Sequence, residues 1–364
     1  MKMQDIIGVL ETLAPPGLQE AYDNAGLLVG DPGQPCTGVL VSLDTTEAVI
    51  REAVDRGCNL VVSHHPLIFR GLKRISASDA TGRTLLAAIR QGVAVYAIHT
   101  NLDNVLEGVN GRIARQLGLQ SVGVLEPKHE VLRKLVTYVP PAHAESVREA
   151  LFRAGAGQVG AYSECSFGVT GVGTFKAGPG TQPFVGQEGL RHSEPEERIE
   201  VIFPAPIQGR VIRSLREAHP YEEVAYDLVP LANTYSGIGS GVVGDLPVGR
   251  EEADFLGWLK ERFGVPLVRH SPLLGQAIRR VAVCGGAGSF LISSAIAAGA
   301  QAFVTADLKY HDFFLADGRL VLADVGHFES EQYTIDLLAE VLEQKFPTFA
   351  VLKTGVLTNP VQYF

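Results

Sequence analysis

Two stretches of this chain can be laid one over the other without a gap, and this repeat constrains the fold more than any other feature. "VLVSLDTTEAVIREAVDRGCNLVVSHH", from Val39, sets against "VAVCGGAGSFLISSAIAAGAQAFVTAD", from Val281. Val39 falls on Val281, Val41 on Val283, Ala53 on Ala295, Gly57 on Gly299 and Val62 on Val304. Each copy reads as an apolar strand, a helix, a glycine where a helix C-cap is wanted, and a second apolar strand. Each has the length of a right-handed βαβ crossover, so parallel sheets are expected. A further strand follows in each, "GVAVYAIHTNLD" from Gly92 and "RLVLADVGHFESE" from Arg319, which aligns His99 with His327 and Asp103 with Glu331. One His-x-x-x-carboxylate ending is cheap. Two in the same register of a repeated unit point to a shared task.

Between the halves, from about Glu126 to Asp245, the chain carries a weaker repeat of its own. "KLVTYVPPAHAESVREALFRAG" matches "IEVIFPAPIQGRVIRSLREAH", with Pro140 on Pro204, Val147 on Val211, Leu151 on Leu215 and Ala154 on Ala218. Each copy is a strand, a Pro-containing turn and an amphipathic helix. With "AYSECSFGVTGVGTFKAG" between them as a hairpin and "EEVAYDLVPL" as a last strand, the segment spells β-α-β-β-α-β, the ferredoxin-like split βαβ pattern. "GPGTQPFVGQEGLRHSEPEER" is Gly/Pro-rich and polar and reads as a mobile loop without metal-ligand or nucleophile clusters. The expected organisation is an α/β protein in which residues 1–126 and 246–364 form one discontinuous domain of duplicated βαβ halves. Residues 127–245 would be an inserted α+β ferredoxin-like domain.

Composition excludes several classes. The 364 residues are 46% hydrophobic and 20% charged, enough for a sizeable core in two domains. A net charge of -9 argues against a sequence-independent grip on nucleic acid, which needs a basic face. The start, "MKMQDIIGVLETL", places Asp5 and Glu11 inside its apolar pattern, and no stretch approaches membrane-spanning length. Neither signal peptide nor membrane anchor is expected, and a cytoplasmic location follows by default. Cys36, Cys58, Cys165 and Cys284 lie far apart with no C-x-x-C, which speaks against a zinc ribbon or a disulfide framework and for reduced core or near-core thiols.

In open parallel α/β sheets functional groups collect beyond the carboxyl ends of the strands, and His64, His65, His99, Asp103, His327 and Glu331 all fall there. The amphipathic run "SEQYTIDLLAEVLEQKF" predicts a helix near Glu331, and on a helix positions i and i+4 share a face, so His327 and Glu331 can reach one ion. Adjacent strand residues point to opposite faces. At a strand end turning toward Pro66, however, the rings of His64 and His65 can splay toward two neighbouring ions. A single strand-end histidine is more often packed or hydrogen-bonded than ligating. Four of the ten histidines with two carboxylates in equivalent places shift the weight to metal, and mixed N/O ligation suits Zn, Mn, Fe, Ni or Co. His129, His143, His192 and His270 lie in polar or loop-like sequence and read as surface residues.

An ordered set of motifs runs through the outer segments: "YDNAGLLVGD" at 22–31, "SHHPLIF" at 63–69, "HTNLD" at 99–103, "TADLKYHD" at 305–312 and "GHFESE" at 326–331. Together they resemble the NGG-interacting-factor-three-like dinuclear-metal family, whose members carry the label GTP cyclohydrolase I type 2 homologue. "HPYEEVAYDL" at 219–228 resembles the CutA-like or PII-like insertion of longer bacterial members. The resemblance implies a toroidal homohexamer with a two-metal site facing its interior. On that pattern His64, His65, Asp103, His327 and Glu331 are ligands, and His99 is a near neighbour or an additional ligand. The chain departs from the family at "LTNPV", residues 357–361, where a Lys before the Thr and an aromatic after the Pro are expected.

Five protein ligands cannot saturate two divalent ions, so positions remain open for water or a small-molecule substrate. A carboxylate such as Glu331 could bridge the ions, and a water there could supply hydroxide near neutral pH. Asp307 occupies the position equivalent to His65 and is followed by Lys309 and His311, candidates for positioning or protonating a leaving group. A surface ion pair explains Asp307 and Lys309 equally well. "CGGAG", Cys284 to Gly288, offers backbone amides to a phosphate between a strand and a helix. It lacks the Lys-Ser/Thr of a Walker loop, and a glycine turn is the simpler reading. Two function classes stay open. The favoured one is a metal-dependent hydrolase acting on a nucleotide or another phosphate-bearing small molecule, with GTP ring opening as its special case. The other is a non-catalytic metal-binding or regulatory assembly.

Overall fold

Short β-branched runs bounded by turns become the strands of three sheets. The computed structural model describes residues 1–364. In chain order its strands are β1 (Gly26–Val29), β2 (Val39–Ser42), β3 (Leu60–Ser63), β4 (Ala94–Ala97), β5 (Gln120–Pro127), β6 (Leu132–Val139), β7 (Phe167–Lys176), β8 (Arg191–Pro204), β9 (Tyr226–Leu231), β10 (Gly239–Arg250), β11 (Arg269–His270), β12 (Ile278–Ala287), β13 (Ala302–Ala306), β14 (Val321–Asp324) and β15 (Val351–Lys353). The chain divides into a unit of Met1–Pro127 with Gly237–Phe364 and a unit of Lys128–Ser236.

In the first unit one sheet has the order β1-β4-β3-β2-β15, with β4, β3, β2 and β15 parallel and β1 antiparallel at the edge. The other has the order β11-β14-β13-β12-β10-β5, in which β12, β13 and β14 are parallel and the rest antiparallel. Strands β2, β3, β4, β13 and β14 are buried at every residue, as strands covered on both faces must be. Val39, Val41, Leu60 and Val62 share one core with Val281, Val283, Val304 and Val321, and the helices Met3–Leu13, Val109–Gln116, Glu252–Phe263 and Thr334–Lys345 add to it. The alternate residues face outward: Leu40, Val61 and Val95 pack with Val49 and Ile50 of the helix Glu47–Asp55, and Ala282, Phe303 and Leu322 pack with Ile292 and Ala295 of the helix Ile292–Ala297. This two-residue alternation fixes the strand faces.

Local chemistry sets the helix ends. Thr46 caps the helix Glu47–Asp55 by accepting from Val49 N at 3.3 Å, and Asp79 caps the helix Ala80–Gln91 by accepting from Gly82 N at 2.7 Å. Gly57 and Gly299, which align in the repeat, both take a left-handed φ of 72° just past their helices.

In the second unit β6 to β9 form an antiparallel sheet of order β7-β8-β6-β9. The helices Ala144–Arg153 and Gln208–Ala218 pack on it through Val147, Leu151, Val211 and Leu215.

Three expectations are corrected. The outer unit resumes at Gly237 rather than 246, because Val242 and Val243 of β10 pair with β12 on one side and β5 on the other. The polar stretch read as a loop becomes strand from Arg191 onward. The hairpin is therefore made by β7 with β8 across residues 177–190, not within 161–178. Charges are tolerated there because they find partners on either face: Glu200, on the open face, accepts from Lys134 at 2.9 Å, and Glu197, on the helix-covered face, pairs with Arg148 of the helix Ala144–Arg153. Finally, His143 and His192 are half-buried rather than surface residues. His192 bonds Glu194 at 2.7 Å and lies against Phe175.

Candidate metal centre

Four strand ends deliver the site. β3 ends at Ser63, immediately before His64 and His65; β4 leads to His99 and the short helix Thr100–Asp103; β13 leads to Asp307; β14 leads through Gly326 into the helix His327–Glu331. The six side chains expected from the sequence come together. His64 Nε2 lies 3.6 Å from Asp103 Oδ1 and 3.8 Å from Glu331 Oε1. His65 Nε2 and His327 Nε2 each lie 3.0 Å from Glu331 Oε2, and 3.3 Å from one another. Glu331 thus turns one oxygen toward His64 and the other toward the His65–His327 pair. The rings of His64 and His65 are tilted by 45° with centroids 5.0 Å apart, and His99 stands edge-on to both. The ligand atoms of His64, His65 and His99 form one group that could hold an ion, and those of His65, His327 and Glu331 form another.

Each histidine is anchored through its other nitrogen. His64 Nδ1 donates to Ile98 O at 2.8 Å, and His65 Nδ1 bonds Asp44 Oδ1 at 2.7 Å. His99 Nδ1 bonds Asp23 Oδ1 at 2.7 Å, and His327 Nδ1 bonds Asp307 Oδ2 at 2.8 Å. With the proton on Nδ1, each ring when neutral would turn its Nε2 lone pair toward the centre, the arrangement found behind metal-bound imidazoles. The donor set also leaves two buried polar atoms without hydrogen-bond partners, His64 Nε2 and Asp103 Oδ1. Such orphans are costly unless something fills the gap between them. A cation between them would satisfy both, so the residues present fit a metal.

Electrostatics tell the same story. Burial opposes a charge on His65, but the Asp44 and Glu331 carboxylates on its two nitrogens outweigh it and bring the ring up to about 10. His327 is likewise buried, and Glu331 and Asp307 bring it to about 9. Burial pushes His64 down, toward the neutral ring a metal needs. Glu331 is buried too, yet the surrounding imidazoles hold its carboxyl well below the usual range. Asp103 goes the other way, its carboxyl raised by burial and by the charge of Glu331. Without a metal, protons on His65 and His327 occupy the places a cation would take.

Gly286 explains how Glu331 reaches this position. Its left-handed φ of 61° turns the loop after Cys284 away, and a Cβ there would collide with Glu331 Oε1. The tight turn at Gly286 is what the glycine-rich loop provides in this fold. Gly285 N donates to Asn110 Oδ1 and Gly286 N to Ser330 Oγ, each at 2.9 Å, so these amides are already occupied.

The three residues considered for leaving-group chemistry separate. Asp307, at a left-handed φ of 55° that Asp tolerates better than most residues, spends one oxygen on His327. Lys309 stands at the N-cap of the 3-10 helix Tyr310–Ala316, where its backbone N donates to Asp312 Oδ2 at 2.8 Å, and His311 lies against Tyr310 and Phe314. Neither lines the clefts at the centre. One cleft, of about 430 Å³, is walled by Tyr22, Phe69, Asp103, Phe290 and Glu331. The other, of about 420 Å³, is walled by Asp44, Arg269, Asp307, Asn359 and Val361. His65 and His327 belong to both. Asp23 and Asp44 were missed from the sequence. Asp44 stands two residues past the end of β2 at the same sheet edge as the histidines, a signal the strand-end rule could have caught. Asp23 lies inside the motif at 22–31, three residues before β1, at an amino end of a strand that the carboxyl-end rule does not flag.

Fold and site together define a mixed α/β protein with a histidine–carboxylate cluster able to hold metal. The chain belongs to the Duf34/NIF3 (NGG1p interacting factor 3) family, whose sequence model matches residues 1–360. It is 40% identical over 366 residues to a Halalkalibacterium halodurans protein named GTP cyclohydrolase 1 type 2 homolog, covering 99% of this chain and 98% of that one. A Mycobacterium tuberculosis protein of the same name is 38% identical over 370 residues, covering 99% and 96%. Among solved structures, a Bacillus cereus protein related to NIF3 superposes with a TM-score of 0.86 at 36% identity, covering 100% of this chain and 99% of that one. No helix is long and apolar enough to cross a membrane.

Proposed function

We propose that this chain is a dinuclear divalent-metal protein and a metal-dependent hydrolase acting on a nucleotide or another phosphate-bearing small molecule. The observation that carries the reading is Glu331: buried, with one oxygen toward His64 and the other shared by His65 and His327. His64, His65, Asp103, His327 and Glu331 would hold the ions, with His99 beside them. Bound there, divalent ions would supply Lewis acidity and acidify water.

The chain's own groups do the rest. Asp44, Asp23 and Asp307 hold the imidazoles in one tautomer. Burial and the charge of Glu331 raise the Asp103 carboxyl, so a cation held beside it would compete there with a proton. The cleft between Tyr22, Phe69 and Phe290 admits the substrate onto Glu331's side of the centre. The name GTP cyclohydrolase 1 type 2 homolog carried by relatives supports a nucleotide as the first substrate to test.

The same reading holds that the outer unit arose by duplication, that residues 128–236 are a ferredoxin-like insertion, and that the chain works as a cytoplasmic homohexamer. The adjacent parallel triplets β2-β3-β4 and β12-β13-β14 support the first point. The β7-β8-β6-β9 order with two helices supports the second. A non-catalytic regulatory assembly is the competing reading, favoured by the separate core of Lys128–Ser236.

Turnover of the metal-loaded protein on a panel of nucleotides and phosphoesters, alongside its chelated form, decides between them. Metal-dependent hydrolysis of any member supports the enzyme. No turnover, with an oligomer whose size responds to a small ligand, supports the assembly.

A further inference from the structure

The last residues of the chain reach both sides of the centre. β15 ends at Lys353 on the edge of the first sheet, and the backbone runs on along it. Thr354 N donates to Val41 O at 2.9 Å, and the Thr354 hydroxyl bonds Glu52. Farther along, Thr358 Oγ1 donates to Asp44 Oδ2 at 2.6 Å, while the other oxygen of that carboxylate holds His65 Nδ1 at 2.7 Å. The next residue, Asn359, donates from Nδ2 to Glu329 Oε1 at 2.9 Å and accepts from Val361 N at 3.0 Å. Glu329 lies in the five-residue helix that begins with His327 and ends with Glu331. Two neighbouring residues thus grip the carboxylate behind His65 and the helix carrying its two closest partners.

This matters because His65 follows a strand of one sheet and His327 follows a strand of the other. Their separation depends on how those sheet ends are held. A carboxylate engaged at both oxygens has one orientation. Released from Thr358, Asp44 could turn toward water and take the His65 ring with it, because its side chain is about one-third exposed.

We propose that residues 357–361 tie the two sheets together at the metal centre. Thr358 and Asn359 are positioning residues: Thr358 acts through Asp44 on His65, and Asn359 acts through Glu329 on the helix of His327 and Glu331. The inference rests on the metal reading above.

Cobalt(II), bound to the full-length protein, tests it through retention against a competing chelator and the visible d–d absorption of the ion. Thr358→Val should weaken cobalt retention by about tenfold and alter the absorption, and Thr358→Ser should restore both. Asn359→Ala should act in the same direction, and it keeps the test alive if Thr358→Val does not fold. Thr354→Val removes another hydroxyl bond of the same tail outside both clefts, and it should leave the absorption unchanged. Wild-type retention and absorption in Thr358→Val and Asn359→Ala would overturn the tie, as would equal effects from Thr354→Val. A wild-type protein that takes up no cobalt overturns the metal reading and this inference together. Normal wild-type uptake with unresponsive tail variants overturns the tie alone.

Discussion

The ε nitrogens of His65 and His327 lie 3.3 Å apart, although 262 residues separate them along the chain. Each ring has a carboxylate on its δ nitrogen, and both share Glu331 Oε2. Two imidazoles so arranged either carry protons around a buried carboxylate or surrender them to a cation. This competition sets the first expected behaviour.

Metal uptake should release protons at neutral pH and strengthen as pH rises. The metal-free protein should behave oppositely in its stability. With His65 raised to about 10 and His327 to about 9, their contribution is fully present below the unfolded value of 6.5 and is lost as pH climbs through 9 to 10. The depressed carboxyls of Glu331 and Asp44 contribute above the ordinary carboxylate range, and that contribution is lost in acid. Melting temperatures of chelated and loaded protein from pH 6 to 10 check this. The chelated form should lose stability across that window while the loaded form holds. Parallel curves would contradict it.

Elemental analysis of the purified protein should find about two divalent ions per chain, with Glu331→Ala losing most of both, since Glu331 turns one oxygen toward His64 and the other toward His65 and His327 and would bridge two ions. Circular dichroism should accompany the measurement, because removing a buried carboxylate from between charged imidazoles costs about 3–5 kcal/mol in the metal-free state. A variant that keeps one ion intact would rule out Glu331 as a bridge.

Outer partners should matter more than nearby polar residues that touch nothing at the centre. Asp44→Asn and Asp307→Asn should each weaken metal binding by about 10- to 100-fold, because an amide no longer enforces the Nδ1–H tautomer. Lys309→Ala and His311→Ala should leave affinity within about twofold. Competition against a fluorescent chelator measures all four. Equal losses in the two groups would show that the hydrogen bonds to His65 and His327 are not the cause.

The segment between the outer halves should be removable. Gly239 of β10 stands opposite Pro127 of β5 in the antiparallel ladder, so the chain leaves and re-enters the outer unit at paired positions. Replacing residues 128–236 with a short Gly-containing turn closes a hairpin that the sheet already prescribes. The shortened chain should melt cooperatively and bind metal as the full chain does. A molten or metal-free product would show that the outer unit depends on the rest.

Much of this centre was legible because its signals are local. Strand period, βαβ length and the glycines at 57 and 299 all depend on neighbours within one repeat, and they place His64, His65, His99 and His327 at strand ends without tertiary information. The i, i+4 relation of His327 and Glu331 is equally local. Composition misled where a pleated strand tolerates partnered charges, as in Arg191–Arg198 of β8.

Tertiary structure alone decided the rest. Asp44 meets His65 across 21 residues, Asp23 meets His99 across 76, and Thr358 meets Asp44 across 314. No periodicity encodes these pairs, because each depends on which strand lies beside which in a sheet and which loop crosses its end. Likewise Lys309 and Asp307 look equivalent in sequence, and only the turn at Asp307 aims one carboxylate at His327 while leaving the lysine at the N-cap of a 3-10 helix. The repeat determined which residues end at the sheet edge. The packing of two sheets on one core determined which of them meet, since side-chain contact over long separations is fixed by the burial of apolar faces.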